Sequence, residues 1–250
     1  MRPSDDVLVE ISSSVSGSRA LGVLVYGSFA TDTYDPGSSD IDLISIAGVP
    51  RSGRFMGVVR GFRVDVYTGS QADLERALRR NTRGNNNSLL YSFVRGRSLY
   101  DPQGTVSGLK NLAAQIWRDG PAAAGLEEAN NLQSAMQMTL MSADRLGLRA
   151  ERSSDWREMA QIYSSKLFFQ CIDAYCRIYR LWASAIWEMT KWDDPRYCDI
   201  LRIVRSYLSN PSLESRLEAT KDIAQLVLAG LPNLTQLNSL TSDSNVLPLR

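Results

Sequence analysis

GSFATDTYDPGSSDIDL, residues 27–43, opens on a Gly-Ser pair and closes on two carboxylates, Asp40 and Asp42, one residue apart. The run just before it, LGVLVY at residues 21–26, is apolar and rich in β-branched and aromatic residues. It is short enough for a buried strand, so Gly27 and Ser28 fall in the turn that leaves it. If residues 40–43 begin another strand, Asp40 and Asp42 project to the same face. Two like charges at that spacing repel, and each raises the other's pKa unless a cation sits between them. A hard oxygen pair of this kind suits Mg²⁺, which takes one or two carboxylates and completes its sphere with water and phosphate oxygens.

A third acid lies further on. Residues 57–67, GVVRGFRVDVY, read as strand-like, with Val64 and Val66 alternating with Arg63, Asp65 and Tyr67. An acid inside a half-buried strand costs energy without a partner. Placed beside the Asp40–Asp42 strand, Asp65 would complete a trio on one sheet.

Gly27, Ser28, Ala30, Ser39, Asp40, Ile41, Asp42 and Leu43, followed by Asp65, form a pattern that resembles the polymerase-beta-like nucleotidyltransferase superfamily. The resemblance covers residues 5–118, and Asp32 stands where many members carry glycine. It implies an α+β fold, a mixed sheet with helices, followed by an all-α helical bundle. It also implies transfer of a nucleoside monophosphate from a nucleoside triphosphate, with ATP the expected donor, by a two-metal mechanism that releases pyrophosphate. Asp40, Asp42 and Asp65 would be catalytic and hold Mg²⁺, while Gly27, Ser28 and Ser39 would bind the nucleotide. The proton acceptor stays open between Asp65 and a carboxylate of the helical domain such as Glu127 or Glu128. In layout the chain looks like the aminoglycoside and lincosamide enzymes of antibiotic resistance, which implies a small-molecule acceptor. The alternative is a toxin–antitoxin or defence enzyme modifying tRNA or protein. A binding module without activity is a third reading, disfavoured by three intact acids. Some relatives share one cleft between two chains, so a homodimer is compatible.

Composition narrows the chemistry. The chain has no histidine, which removes imidazole bases, imidazole metal ligands and His-dependent triads. Lys and Arg number 28 against 27 Asp and Glu, a net charge of +1 without global attraction to nucleic acid. No run approaches a membrane span and the N-terminus lacks the pattern of a signal peptide, so a cytoplasmic protein is expected. Cys171, Cys176 and Cys198 lack zinc or redox spacing and read as reduced core thiols.

Ser4 is placed to cap a helix ending near Val15, and Ser70 one over residues 71–80. Further helices are predicted near 89–94, 106–117, 126–148, 154–190, 197–208 and 213–228, with a short strand at 98–101 and a loop near Pro50. Gly and Pro within residues 119–125 mark a boundary. The expected domains are 1–119 (catalytic), 120–232 (helical) and 233–250 (a polar tail). Arg76, Arg79, Arg80 and Arg83 recur at helical spacing; a solvated face with Asp73 and Glu75 as counter-charges is favoured over a grip on triphosphate or RNA. Tyr163, Leu167, Phe168, Ile172, Tyr175, Ile178, Tyr179, Trp182 and Ile186 fall at helical spacing and read as packed core.

Overall fold

The computed structural model describes residues 2–17, 20–31, 33–48, 52–80, 87–183 and 195–231. Asp32, Pro50, the polar stop at 81–86 with Arg83, Ile186 and the tail from 233 lie outside the described residues. The chain is α+β, and its described residues divide into two compact units, one up to Asp119 and one from Gly120 onward.

The first unit is built on a five-stranded mixed sheet. Helix α1 (Asp5–Ser16) leads into β1 (Ala20–Tyr26), the short α2 (Gly27–Ala30) and β2 (Ile41–Ala47). Then come β3 (Gly53–Val59), β4 (Phe62–Ser70), α3 (Gln71–Arg80), α4 (Ser88–Arg95), β5 (Arg97–Tyr100) and α5 (Thr105–Asp119). The strand order is β3-β4-β2-β1-β5, with β2 and β4 parallel and the other neighbours antiparallel.

Strand alternation sorts the side chains onto two faces. Val23, Val25, Ile41, Leu43, Val64 and Val66 turn to one, where Leu8 and Ile11 of α1 close a core. The opposite face packs against helices over part of its area: Val106 of α5 comes down on Gly22, and Leu74 of α3 on Gly69. The remaining end of that face carries Tyr26, Asp42 and Asp65.

The segment read as one strand over 57–67 is a hairpin. Val59 pairs with Phe62, leaving Arg60 and Gly61 as a two-residue loop. Both have positive φ, 53° and 82°, as a type I′ turn demands. Gly61 meets that requirement readily, whereas Arg60 takes a left-handed conformation at a cost.

Several helix starts follow from local chemistry. The Ser70 hydroxyl accepts from Asp73 N–H at 3.2 Å and donates to the Asp73 carboxylate at 2.7 Å, starting α3. Asn87 caps α4 through Leu90 N–H. Ser4 sits at the N-cap of α1, although its side chain makes no capping bond. On α3, Arg76 is paired with Asp73 at 3.1 Å, a local counter-charge on an exposed face.

The second unit is helical: α6 (Leu126–Ala150), α7 (Ser154–Ile178), a 3₁₀ turn (Pro195–Tyr197), α8 (Cys198–Ser209) and α9 (Leu213–Gly230). The helix expected over 154–190 stops at Ile178. Arg180 turns left-handed with φ 53°, and Leu181 N–H bonds back to the Cys176 carbonyl at 2.7 Å. This is the Schellman closure that usually takes glycine. Trp182 is buried beyond the helix, where its carbonyl accepts from the Tyr197 hydroxyl at 2.9 Å. Phe168, Ile172 and Tyr175 are core as expected, Phe168 stacking on Tyr207 at 3.7 Å, whereas Tyr163 is 47% exposed. Cys171 and Cys176 are buried, but Cys198 is exposed and is no core thiol. Among the described residues, no helix is long and apolar enough to cross a membrane.

The hairpin turn sets two opposed effects against each other. Left-handed φ at a non-glycine costs about 1–2 kcal/mol, and asparagine bears it best. The exposed Arg60–Glu10 ion pair is worth about 0.2–1 kcal/mol. Arg60→Asn is therefore expected to raise stability by about 0.5 kcal/mol, read as a higher urea midpoint. A lower midpoint would mean that the ion pair outweighs the turn.

Candidate active site

The parallel pairing of β2 with β4 sets Asp42 directly opposite Asp65. On the other side of Asp42, the antiparallel register brings Tyr26 of β1 alongside. Neighbouring strands lie about 4.8 Å apart, so Tyr26, Asp42 and Asp65 form a row across the sheet on one face. Asp40 is exposed, two residues before Asp42. Its charge acts on both Asp42 and Tyr26.

The three acids sit in different surroundings. Asp65 is 3% exposed and pinned by a two-pronged contact from Arg54 of β3. Arg54 Nε donates to Oδ1 at 2.8 Å, and Nη2 donates to Oδ2 at 2.5 Å. Arg54 itself is largely exposed and reaches in from the edge strand. Bonding to Asp65 holds its guanidinium protonated even more firmly than usual.

Asp42 is half-buried, and among the described residues no hydrogen-bond donor reaches its carboxylate. Its pKa is pushed up to about 7, first by burial, then by the charges of Asp40 and Asp65, against a smaller opposing pull from Arg54. The Tyr26 phenol is likewise driven up by burial and by Asp42.

Gly27 leaves β1 with φ 66°, and a Cβ there would run into the Asp42 carboxylate oxygen. Glycine is thus demanded twice, by the left-handed conformation and by the close approach of the acid. Ser28 follows, half-buried, with its carbonyl accepting from Thr33 N–H at 3.1 Å. The Ser39 hydroxyl accepts from Asp35 N–H at 3.2 Å, which spends it on shaping the loop before β2.

The donor set matters for a cation. Asp40 and Asp42 offer hard oxygens, one exposed and one destabilised by like charge, which fits a single Mg²⁺ completed by water and phosphate oxygens. Asp65 shares their face, but both its oxygens are engaged by Arg54. Among the described residues, no group of three acids is gathered closely enough to hold one ion.

Glu128, a candidate base in the helical unit, is locked instead. It accepts from Arg177 Nη2 at 2.6 Å and from Arg177 Nε, and the same guanidinium donates to the Ala122 and Ala123 carbonyls. That arrangement ties the start of α6 to α7. An open groove of about 580 Å³ in this unit is lined by Leu132, Met136, Thr139, Leu167 and Asp173.

Arg54 and Tyr26 were not among the expected site residues. Arg54 was discoverable: with the turn placed at Arg60–Gly61, the pairing sets Met56 opposite Asp65 and Arg54 two residues away on the same face.

No family model matches the chain, and no curated protein does. Among solved structures, a nucleotidyltransferase-like protein from Exiguobacterium sibiricum aligns with it at 14% identity and a TM-score of 0.36, over 90% of this chain and 74% of that one. The chemistry of the site therefore rests on its own residues.

The raised pKa of Asp42 has a definite sign. Between the ordinary carboxylate value near 4 and about 7, the folded state binds more protons than the unfolded one, so stability falls as pH rises through that window. Asp42→Asn removes the penalty. In chelator, the variant is expected to be more stable than the parent at pH 8, on the order of 2 kcal/mol after solvent screening, and to converge with it near pH 4. Equal stability at pH 8 would show that Asp42 carries no such load.

Proposed function

We propose that the chain is a Mg²⁺-dependent nucleotidyltransferase, moving a nucleoside monophosphate from a nucleoside triphosphate, ATP being the expected donor, to a hydroxyl of a small-molecule acceptor. The observation that carries this reading is the pairing of Asp42 with Asp65 on one sheet face, with Asp40 beside them and Gly27 pressed against the Asp42 carboxylate. Buried like charges are costly, and a cation bound beside Asp42 would relieve the part of that cost which Arg54 leaves.

Asp40 and Asp42 would hold the ion. An ion held there would supply positive charge to offset that of the triphosphate and the departing pyrophosphate. The Gly27–Ser28 backbone and the Ser28 hydroxyl would orient the β- and γ-phosphates, since the missing Cβ lets backbone N–H groups approach closely. The acceptor oxygen forms the new bond to the α-phosphorus as the bond to the β-phosphate bridging oxygen breaks. Its proton passes to a nearby carboxylate or to water. With Arg54 on both its oxygens, Asp65 is better suited to positioning than to accepting that proton. The order of the units, a sheet-based one followed by a helical one, supports a small-molecule acceptor such as an aminoglycoside-like antibiotic.

The decisive assay supplies labelled ATP, GTP, CTP and UTP with Mg²⁺ to the protein alongside antibiotics, tRNA and the chain itself. Label moving to a small molecule is the expected result, and label moving only to RNA or protein would replace the acceptor class. Asp42→Asn should lower transfer by at least about 10²-fold while the protein stays folded, because it removes several kcal/mol of charge stabilisation at constant volume. Undiminished transfer would remove Asp42 from the chemistry.

A further inference from the structure

We infer that Arg54 takes the place of a second cation, so that this protein works with one divalent ion, held by Asp40 and Asp42. The inference rests on the nucleotidyltransferase reading above and departs from the two-ion arrangement which that reading would otherwise imply.

Three observations lead to it. Both oxygens of Asp65 are consumed by one guanidinium, at 2.8 and 2.5 Å, leaving no oxygen uncommitted for an ion. Asp65 is 3% exposed in an interior strand, so its carboxylate cannot rotate out to seek another partner, whereas Arg54 arrives from the edge strand with its side chain 61% exposed. And among the described residues the acids do not converge into a group of three, although β2 and β4 set two of them face to face.

Charge agrees with geometry. Three carboxylates and one guanidinium carry a net charge of two minus, which one divalent ion balances. An arginine suits this task better than a lysine. Its fork matches a carboxylate in two places and it does not lose its proton at any working pH. Unlike a metal ion, it is held by the chain at all times, so Asp65 is compensated before nucleotide or Mg²⁺ binds. Arg54 is accordingly a positioning residue, fixing Asp65 and setting the ion count.

The test counts ions in the full-length protein with Mn²⁺ and a non-hydrolysable ATP analogue. Two ions about 3.5–4 Å apart give a spin-coupled spectrum in electron paramagnetic resonance, and a lone ion does not. Titration calorimetry gives the number bound per chain. One uncoupled Mn²⁺ is expected in the parent and in Arg54→Lys, and a second, coupled ion in Arg54→Gln. A coupled pair in the parent would overturn the inference while leaving the nucleotidyltransferase reading intact. So would a single ion in a folded Arg54→Gln. Should that variant fail to fold, the parent spectrum alone still decides. Asp42→Asn separates the two claims: unchanged Mn²⁺ affinity there would defeat the Asp40–Asp42 site itself, and the inference with it.

Discussion

Everything at the polar end of the sheet depends on one repulsion. Parallel pairing of β2 with β4 puts the carboxylates of Asp42 and Asp65 on neighbouring strands, a like-charged pair in partly desolvated surroundings. The structure relieves it unevenly. Asp65 receives a guanidinium across the adjacent hairpin, whereas no hydrogen-bond donor among the described residues reaches Asp42, whose pKa is raised by burial first and then by the charges of Asp40 and Asp65. A site that stores its unfavourable charge at one identifiable atom group is poised to gain from an incoming cation.

The apolar face makes this arrangement affordable. Val23, Val25, Ile41, Leu43, Val64 and Val66 alternate with the polar row and bury against α1, so the strands are fixed by their backs while their fronts carry the acids. On the front, Val106 and Leu74 come down on the sheet at Gly22 and Gly69, where the missing side chains let helices approach. The end bearing Tyr26, Asp42 and Asp65 is where hydrophobic burial gives way to electrostatics.

The parts of this design that depend on nearest neighbours in sequence were legible. The apolar strand before Gly27, the Ser70 cap and the Pro/Gly interruption near residue 120 are all short-range patterns. What was missed required a turn to be placed first. Reading residues 57–67 as one strand hid β3, and with it the pairing that delivers Arg54 to Asp65. The helix expected over 154–190 ran too long for a similar reason: an apolar periodicity continues past Ile178, but the backbone turns at Arg180, a residue whose left-handed conformation no composition rule anticipates. Trp182 keeps its place in the core by a different route, through the backbone beyond the helix and the Tyr197 hydroxyl.

The two-residue loop at Arg60–Gly61 also acts as a ruler. Side chains alternate along a strand, so lengthening that loop so as to slip the pairing of β3 by one position would send Arg54 through to the far side of the sheet and bring its neighbours Gly53 and Phe55 round in its stead. The length of a solvent-facing turn thus decides whether a buried acid more than three residues away has a counter-ion, and drift in that loop is constrained by chemistry in which the loop itself takes no part.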